Sequence, residues 1–199
     1  VTQTISRSQR IKTAERSTAQ PWRFKVTPPG ALPYADSRGI IEEINANDRV
    51  NEAEVSLSNV SGTQYITAYM GALTTNQLNN LSIHSVGTSS FTVTSLPNLG
   101  GAITTATVIY AKGDIVQPAN SRYPYAVAED VLRGSNTTTN VTLHRPVVTS
   151  ENINLVGQDV LVGNSCTWRV VVSALPVYQL IPGKFVQYTG DFELIEKVI

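Results

Sequence analysis

From Pro21 onward, apolar and polar positions alternate with a period of two far more often than with a helical period. Such alternation places one set of side chains on a core face and the other on a solvent face. WRFKVT from Trp22, EAEVSL from Glu52, Tyr65 to Met70, FTVT from Phe91 and TNVTL from Thr139 all carry it. Thr104 to Tyr110, Ala126 to Leu132, Cys166 to Ser173, Phe185 to Thr189 and Phe192 to Val198 read the same way. Gly, Pro, Asn and Asp fill the breaks at short spacing, which fits a β-sandwich or β-barrel.

Two short helices interrupt the strands. SRGIIEEIN, following Asp36, puts Ile40, Ile41 and Ile44 on one face; an Asp or Ser cap opens it and Gly39 weakens it. Thr74 and Gln77 form a capping box ahead of QLNNLSI, with Leu78 and Leu81 as anchors and His84 at the helix end. The fold class is therefore mainly β, with two short helices and an extended N-terminal arm.

The arm is residues 1–20, and 21–199 is the β-rich domain. Arg7, Arg10, Lys12 and Arg16 stand in the arm against the single acid Glu15. An acidic stretch follows: Asp36, Glu42, Glu43, Asp48, Glu52 and Glu54 against Arg38 and Arg49. This bipolar pattern fits either pairing within the chain or a head-to-tail contact between copies.

Composition then narrows the function. Of the 199 residues, 15 are basic and 15 acidic, so the chain lacks the net basic charge that phosphate binding needs. No nucleic-acid partner is expected. No apolar run approaches the ~20 residues of a membrane span, and the first 20 residues carry no apolar signal core, so neither membrane nor export is expected. Sequons at Asn59, Asn136 and Asn140 read as turn and strand residues. A single Cys excludes an internal disulfide, and two His with one Cys make a metal set improbable.

Candidate chemistry is sparse. Cys166 and His144 are the sole nucleophile and base of their kind, and Cys166 lies in an alternating strand where a small buried thiol is ordinary. His84 and His144 read as surface or capping residues. Glu42 and Glu43 are adjacent on a helix and diverge, and Asp114 reads as a turn residue. Arg122, Tyr123 and Tyr125 around Pro124 offer a stacking surface, or else strand-edge packing. No catalytic, cofactor or metal residue is assigned, and the chain reads as no enzyme.

Residues 112–150 carry the most distinctive pattern: KGDIVQPANSRYPYAVAEDVLRG, an Asn/Thr turn, then NVTLHRPVV. Its marked positions are Gly113, Asp114, Val116, Gln117, Pro118, Tyr123, Pro124, Tyr125, Val127, Gly134, Val141, Leu143 and Pro146. This resembles a β-module of tailed-bacteriophage virion structural proteins. PWRFKVTPPG at Pro21 and VQYTGDFELIEKVI at the end are similar to framing strands of distal-tail or baseplate ring subunits.

The resemblance implies a structural subunit of a tail or baseplate, made in the host cytoplasm and resident in the virion. Its partners are copies of itself, in a ring where strands of adjacent copies join and the arm crosses to a neighbour, and other virion proteins. It needs no cofactor and no small-molecule substrate, and residues 112–150 act as a β-ribbon module. A capsid decoration or head-to-tail connector protein is the second reading. The third is a carbohydrate-binding β-sandwich with Trp22, Trp168, Tyr123 or Tyr125 as stacking platforms.

Overall fold

The computed structural model describes residues 21–57, 64–148 and 153–198, together with the backbone of two strands in the N-terminal segment. In chain order the elements are β1 (Thr2–Ile5), β2 (Ile11–Ala14), β3 (Arg23–Val26), β4 (Ala31–Pro33), α1 (Tyr34–Ala46), β5 (Ala53–Val55) and α2 (Thr75–Leu78). There follow β6 (Ser82–Val86), β7 (Ser90–Thr94), β8 (Val108–Tyr110), β9 (Ile115–Pro118), β10 (Tyr125–Ala126), β11 (Val131–Leu132) and β12 (Thr139–Thr142). The last five are β13 (Val160–Val162), β14 (Trp168–Ala174), β15 (Val177–Ile181), β16 (Phe185–Thr189) and β17 (Phe192–Glu196). All pairings among the described residues are antiparallel, and the protein is mainly β with two helices, consistent with a β-sandwich.

Three layers build the body. The middle layer is the sheet β10-β9-β13. All four residues of β9 are buried, so this strand has two inner faces. Val116, Tyr125 and Val160 join the larger core with Phe91, Val93, Ile109 and Val141 of β7, β8 and β12. Their neighbours Ile115, Ala126 and Leu161 point the other way, into a second core with Trp168, Val170, Phe24 and Leu194. A strand buried on both faces loses the alternating pattern. That is why IVQP at 115–118 gives no period-two signal.

The outer layer on the second core is the sheet β3-β17-β14-β5. Its three long strands do not stop there. Val26 lies opposite Phe192 and Ala31 opposite Gln187, five residues further along both chains, so β4 continues β3 along the same partner. Likewise Val172 faces Leu194 and Val177 faces Thr189. The sheet β15-β16-β4 is thus the far half of one three-stranded ribbon.

All three strands of the ribbon break at the same level, at Pro28 and Pro29, at Pro176, and at Gly190. Proline cannot donate to a ladder, and Gly190 has φ +88°. Thr27 donates to Asp191 at 2.6 Å and Lys25 pairs with the same carboxylate at 2.9 Å, which fastens the break.

Beyond the break the ribbon has a core of its own. Ile41 of α1 packs on Val186 and Tyr188 with Leu32, Ile40, Ile44 and Tyr178. The isoleucine face expected of this helix is therefore the buried one. The expected Asp or Ser cap is not: the helix starts at Tyr34 behind Pro33, with no side-chain cap bond. Pro33 holds the cap position with φ −55° and ψ 142° and has no side-chain acceptor to offer the first turn.

Other expectations shift in detail. Thr74 and Gln77 do form the capping box, but α2 ends at Leu78. His84 consequently sits in β6, where the pairing with β7 shifts register between Ile83 and Ser85, and not at a helix end. Tyr65 to Met70 is not a strand; it begins in a 3-10 turn, Gln64–Ile66. Ala126 to Leu132 divides between β10 and β11, and the β4, β9, β13 and β15 strands had no period-two expectation.

The arm expected over residues 1–20 lies largely outside the described residues. Within it β1 pairs with β2, from Thr2 opposite Ala14 to Ile5 opposite Ile11. The sequon at Asn59 also lies outside the described residues.

Candidate interaction surface

The marked residues of 112–150 turn out to be scaffold. Gly113 has φ +93°, as a left-handed turn position requires. Asp114 follows, and its carboxylate accepts the Met70 amide at 2.9 Å and the Ala111 amide at 2.8 Å. Burial pushes this carboxyl up, while the backbone donors oppose that shift. Gln117 is buried and spends its amide on the backbone, donating to Ser121 O at 2.8 Å and accepting from Thr167 N at 2.9 Å.

Val116, Tyr123, Tyr125, Val127, Val141 and Leu143 are all buried. Strands of this segment pair with β7, β8 and β13, outside it. All six buried residues belong to the larger core, so the pattern marks the residues that this segment turns toward that core. Three of the four rings considered as sugar platforms, Tyr123, Tyr125 and Trp168, are at most 2% exposed and present no face to a ligand.

A polar clasp joins the ribbon to the middle layer. Arg145 and Glu196 form a bidentate pair at 2.5 and 2.7 Å, with side chains 2% and 0% exposed. Arg145 also donates to Pro124 O at 2.8 Å and lies 5.1 Å from the Tyr125 ring centre. Glu196 accepts the Trp22 amide at 3.0 Å. The Trp22 indole in turn donates to Pro124 O at 3.2 Å.

His144 stands beside this clasp, its ring 5.4 Å from Trp22. Its Nδ1 accepts the Ala126 amide at 2.8 Å, and burial and then Arg145 hold its pKa below the usual value. Cys166 is buried elsewhere, its Sγ against the carbonyls of Ile115 and Leu161 at 3.7 and 3.6 Å. Burial pushes that thiol up to about 12, which leaves it unreactive at neutral pH.

Part of the charge on the near half of the ribbon is paired within the chain. Glu52 receives Arg169 at 2.9 Å and Lys197 at 2.7 Å. Asp48 caps its own turn through the Val50 and Asn51 amides. Glu42 and Glu43 remain exposed on α1.

Two apolar concavities open on the ribbon. One, of about 730 Å³, lies beside Trp22, Phe24, Val55, Ile66 and Leu194. The other, of about 490 Å³, is at the far tip, among Pro33, Tyr34, Leu180, Ile181 and Phe185. At that tip Leu180 is 65% exposed and Tyr34 and Phe185 are exposed as well; Val177, at the break end of the same strand, is also 65% exposed.

On β16, buried Val186 and Tyr188 alternate with exposed Phe185, Gln187 and Thr189. The face away from α1 is therefore open and carries apolar and amide groups. Sequence reasoning missed this surface because VYQLI at 177–181 was not recognised as a strand. No family model matches this chain, and no curated protein matches its sequence.

Proposed function

We propose that this protein is a structural subunit of a bacteriophage tail or baseplate, assembling with copies of itself into a homo-oligomeric ring that joins tail components. The observation that carries the reading is the far half of the ribbon. It combines an open sheet face, an uncharged outer strand and clustered exposed apolar side chains. Large exposed apolar patches mark sites of protein contact, and a neutral chain meets its copies without like-charge repulsion.

The resemblance of residues 112–150 to virion proteins supports the same reading. Its buried apolar residues all line the larger core, which gives the segment a rigid, densely packed seat. In this role the protein catalyses no reaction and takes no small-molecule substrate.

Copy number in purified particles is the test. Quantitative mass spectrometry of virions, paired with imaging of labelled particles, is expected to give a small fixed number of copies located at the tail. Hundreds of copies on the head would replace the proposal by a decoration protein. A single ring at the portal would replace it by a connector, and absence from particles would end it.

A further inference from the structure

Among the described residues, the outer strand of the ribbon's far half, β15, is paired on one side only. Such edges are usually guarded by charge, by proline or by brevity. The other edge strands of the sheets β3-β17-β14-β5 and β15-β16-β4 follow that rule. β3 carries Arg23 and Lys25, β4 is three residues long and ends in Pro33, and β5 is three residues long with Glu54 at its centre. β15 is five residues long, VYQLI, with no charge and no proline inside it. Pro176 and Pro182 bound it and limit any added pairing to this stretch.

The sequence of β15 is also complementary to itself in the antiparallel sense. With Gln179 placed opposite its own copy, Val177 meets the partner's Ile181, and Tyr178 meets the partner's Leu180. Period-two alternation then puts Val177, Gln179 and Ile181 on the open face, and Tyr178 and Leu180 on the α1 face. Each apolar residue meets an apolar one, and the amides meet at the centre. Leu180 would exchange its 65% exposure for contact with an aromatic ring.

We infer that two copies of this chain join through β15, edge to edge and antiparallel, with Gln179 on the two-fold axis. The inference rests on the reading of the protein as a subunit that meets its own kind, and adds where and in what register. An isologous contact of this type pairs copies, and main-chain hydrogen bonds extend each three-stranded half-sheet into six strands. A five-residue pairing buries less than the roughly 1,200 Å² of the smaller stable interfaces. A ring would need a second, separate contact between copies beside it.

The experiment is disulfide trapping in the full-length protein. Directly opposite residues of an antiparallel pair have Cα atoms about 4.5–5.5 Å apart, inside the disulfide range of about 4.4–6.8 Å. Gln179→Cys is expected to give a covalent dimer on mild oxidation, while wild type does not, because Cys166 is buried. Gln187→Cys lies on the same face one strand inward, opposite Gln179. Three strand spacings, about 14 Å, would then separate the two copies of Gln187, so that variant is expected not to cross-link.

Val177→Cys and Ile181→Cys should cross-link when mixed and not singly. Adding Leu180→Lys to Gln179→Cys should abolish the dimer while leaving the melting temperature within a few degrees, since Leu180 is exposed. An oligomer in solution without the Gln179→Cys cross-link would overturn this contact and leave the assembly proposal standing. A cross-link that appears only after residues 1–20 are removed would mean that the chain covers its own edge, and would overturn it too. A monomer absent from particles would remove both readings.

Discussion

Replacing Arg145 by Met removes the cation from a carboxylate that has no exposed side-chain surface. Glu196 keeps the Trp22 amide as a donor, yet its charge is left in a low-dielectric site. Breaking a buried pair in this way costs about 3–5 kcal/mol. In a chain of this size each kcal/mol moves the melting temperature by about 2–4 °C, so a fall of roughly 6–20 °C is expected.

The double variant Arg145→Met/Glu196→Leu leaves no unpaired charge. Pro124 O retains the Trp22 indole, and the Trp22 amide loses its acceptor, a deficit of about 1–3 kcal/mol. The double should therefore be more stable than Arg145→Met alone, as read by thermal unfolding and by urea midpoints. If the single variant loses under about 1 kcal/mol, or the two losses simply add, the clasp does not hold the ribbon to the middle layer.

Other outcomes follow from single groups. The pKa of His144 is held below its usual 6.5 in the fold, so the unfolded chain takes up the proton first. Stability should fall as pH drops below about 6.5 until the folded pKa is passed, and His144→Gln should flatten that slope in urea titrations between pH 7 and 5. Gly39 lies mid-helix with open space around a would-be Cβ; Gly39→Ala is expected to stabilise by about 0.5–1 kcal/mol, measured by thermal melts. Tyr110 is fully buried, and its hydroxyl finds no hydrogen-bond partner among the described residues. Tyr110→Phe should be neutral or stabilising by about 1 kcal/mol; a loss above that would reveal a partner for the hydroxyl.

What could be read in the sequence follows from how many faces an element buries. β16 buries one face, alternates cleanly and was legible at Phe185; β17 was legible at Phe192 from its sequence, although Ile195 and buried Glu196 break its alternation. The isoleucine stripe at Ile40, Ile41 and Ile44 and the Thr74/Gln77 box were legible because both are local patterns. β9 was not, since Ile115 and Val116 serve opposite cores.

QLNNLSI suggested a helix through His84 because Leu78, Leu81 and Ile83 are all core residues. The chain passes from a one-turn helix to a strand between them. Tyr123 and Tyr125 could not be told from a binding platform, because period alone does not say which side has a second layer. The interaction surface stayed hidden for a related reason. Continuity of β3 with β4, and of β14 with β15, runs past prolines that locally signal an end.

The most direct test of the account is the mass of the full-length protein in solution, measured by native mass spectrometry or sedimentation across a concentration series. The account predicts assemblies of several 21.5 kDa chains that grow with concentration and shrink when Leu180 becomes Lys. A 21.5 kDa monomer at every concentration, with Leu180→Lys indistinguishable from wild type, would contradict it.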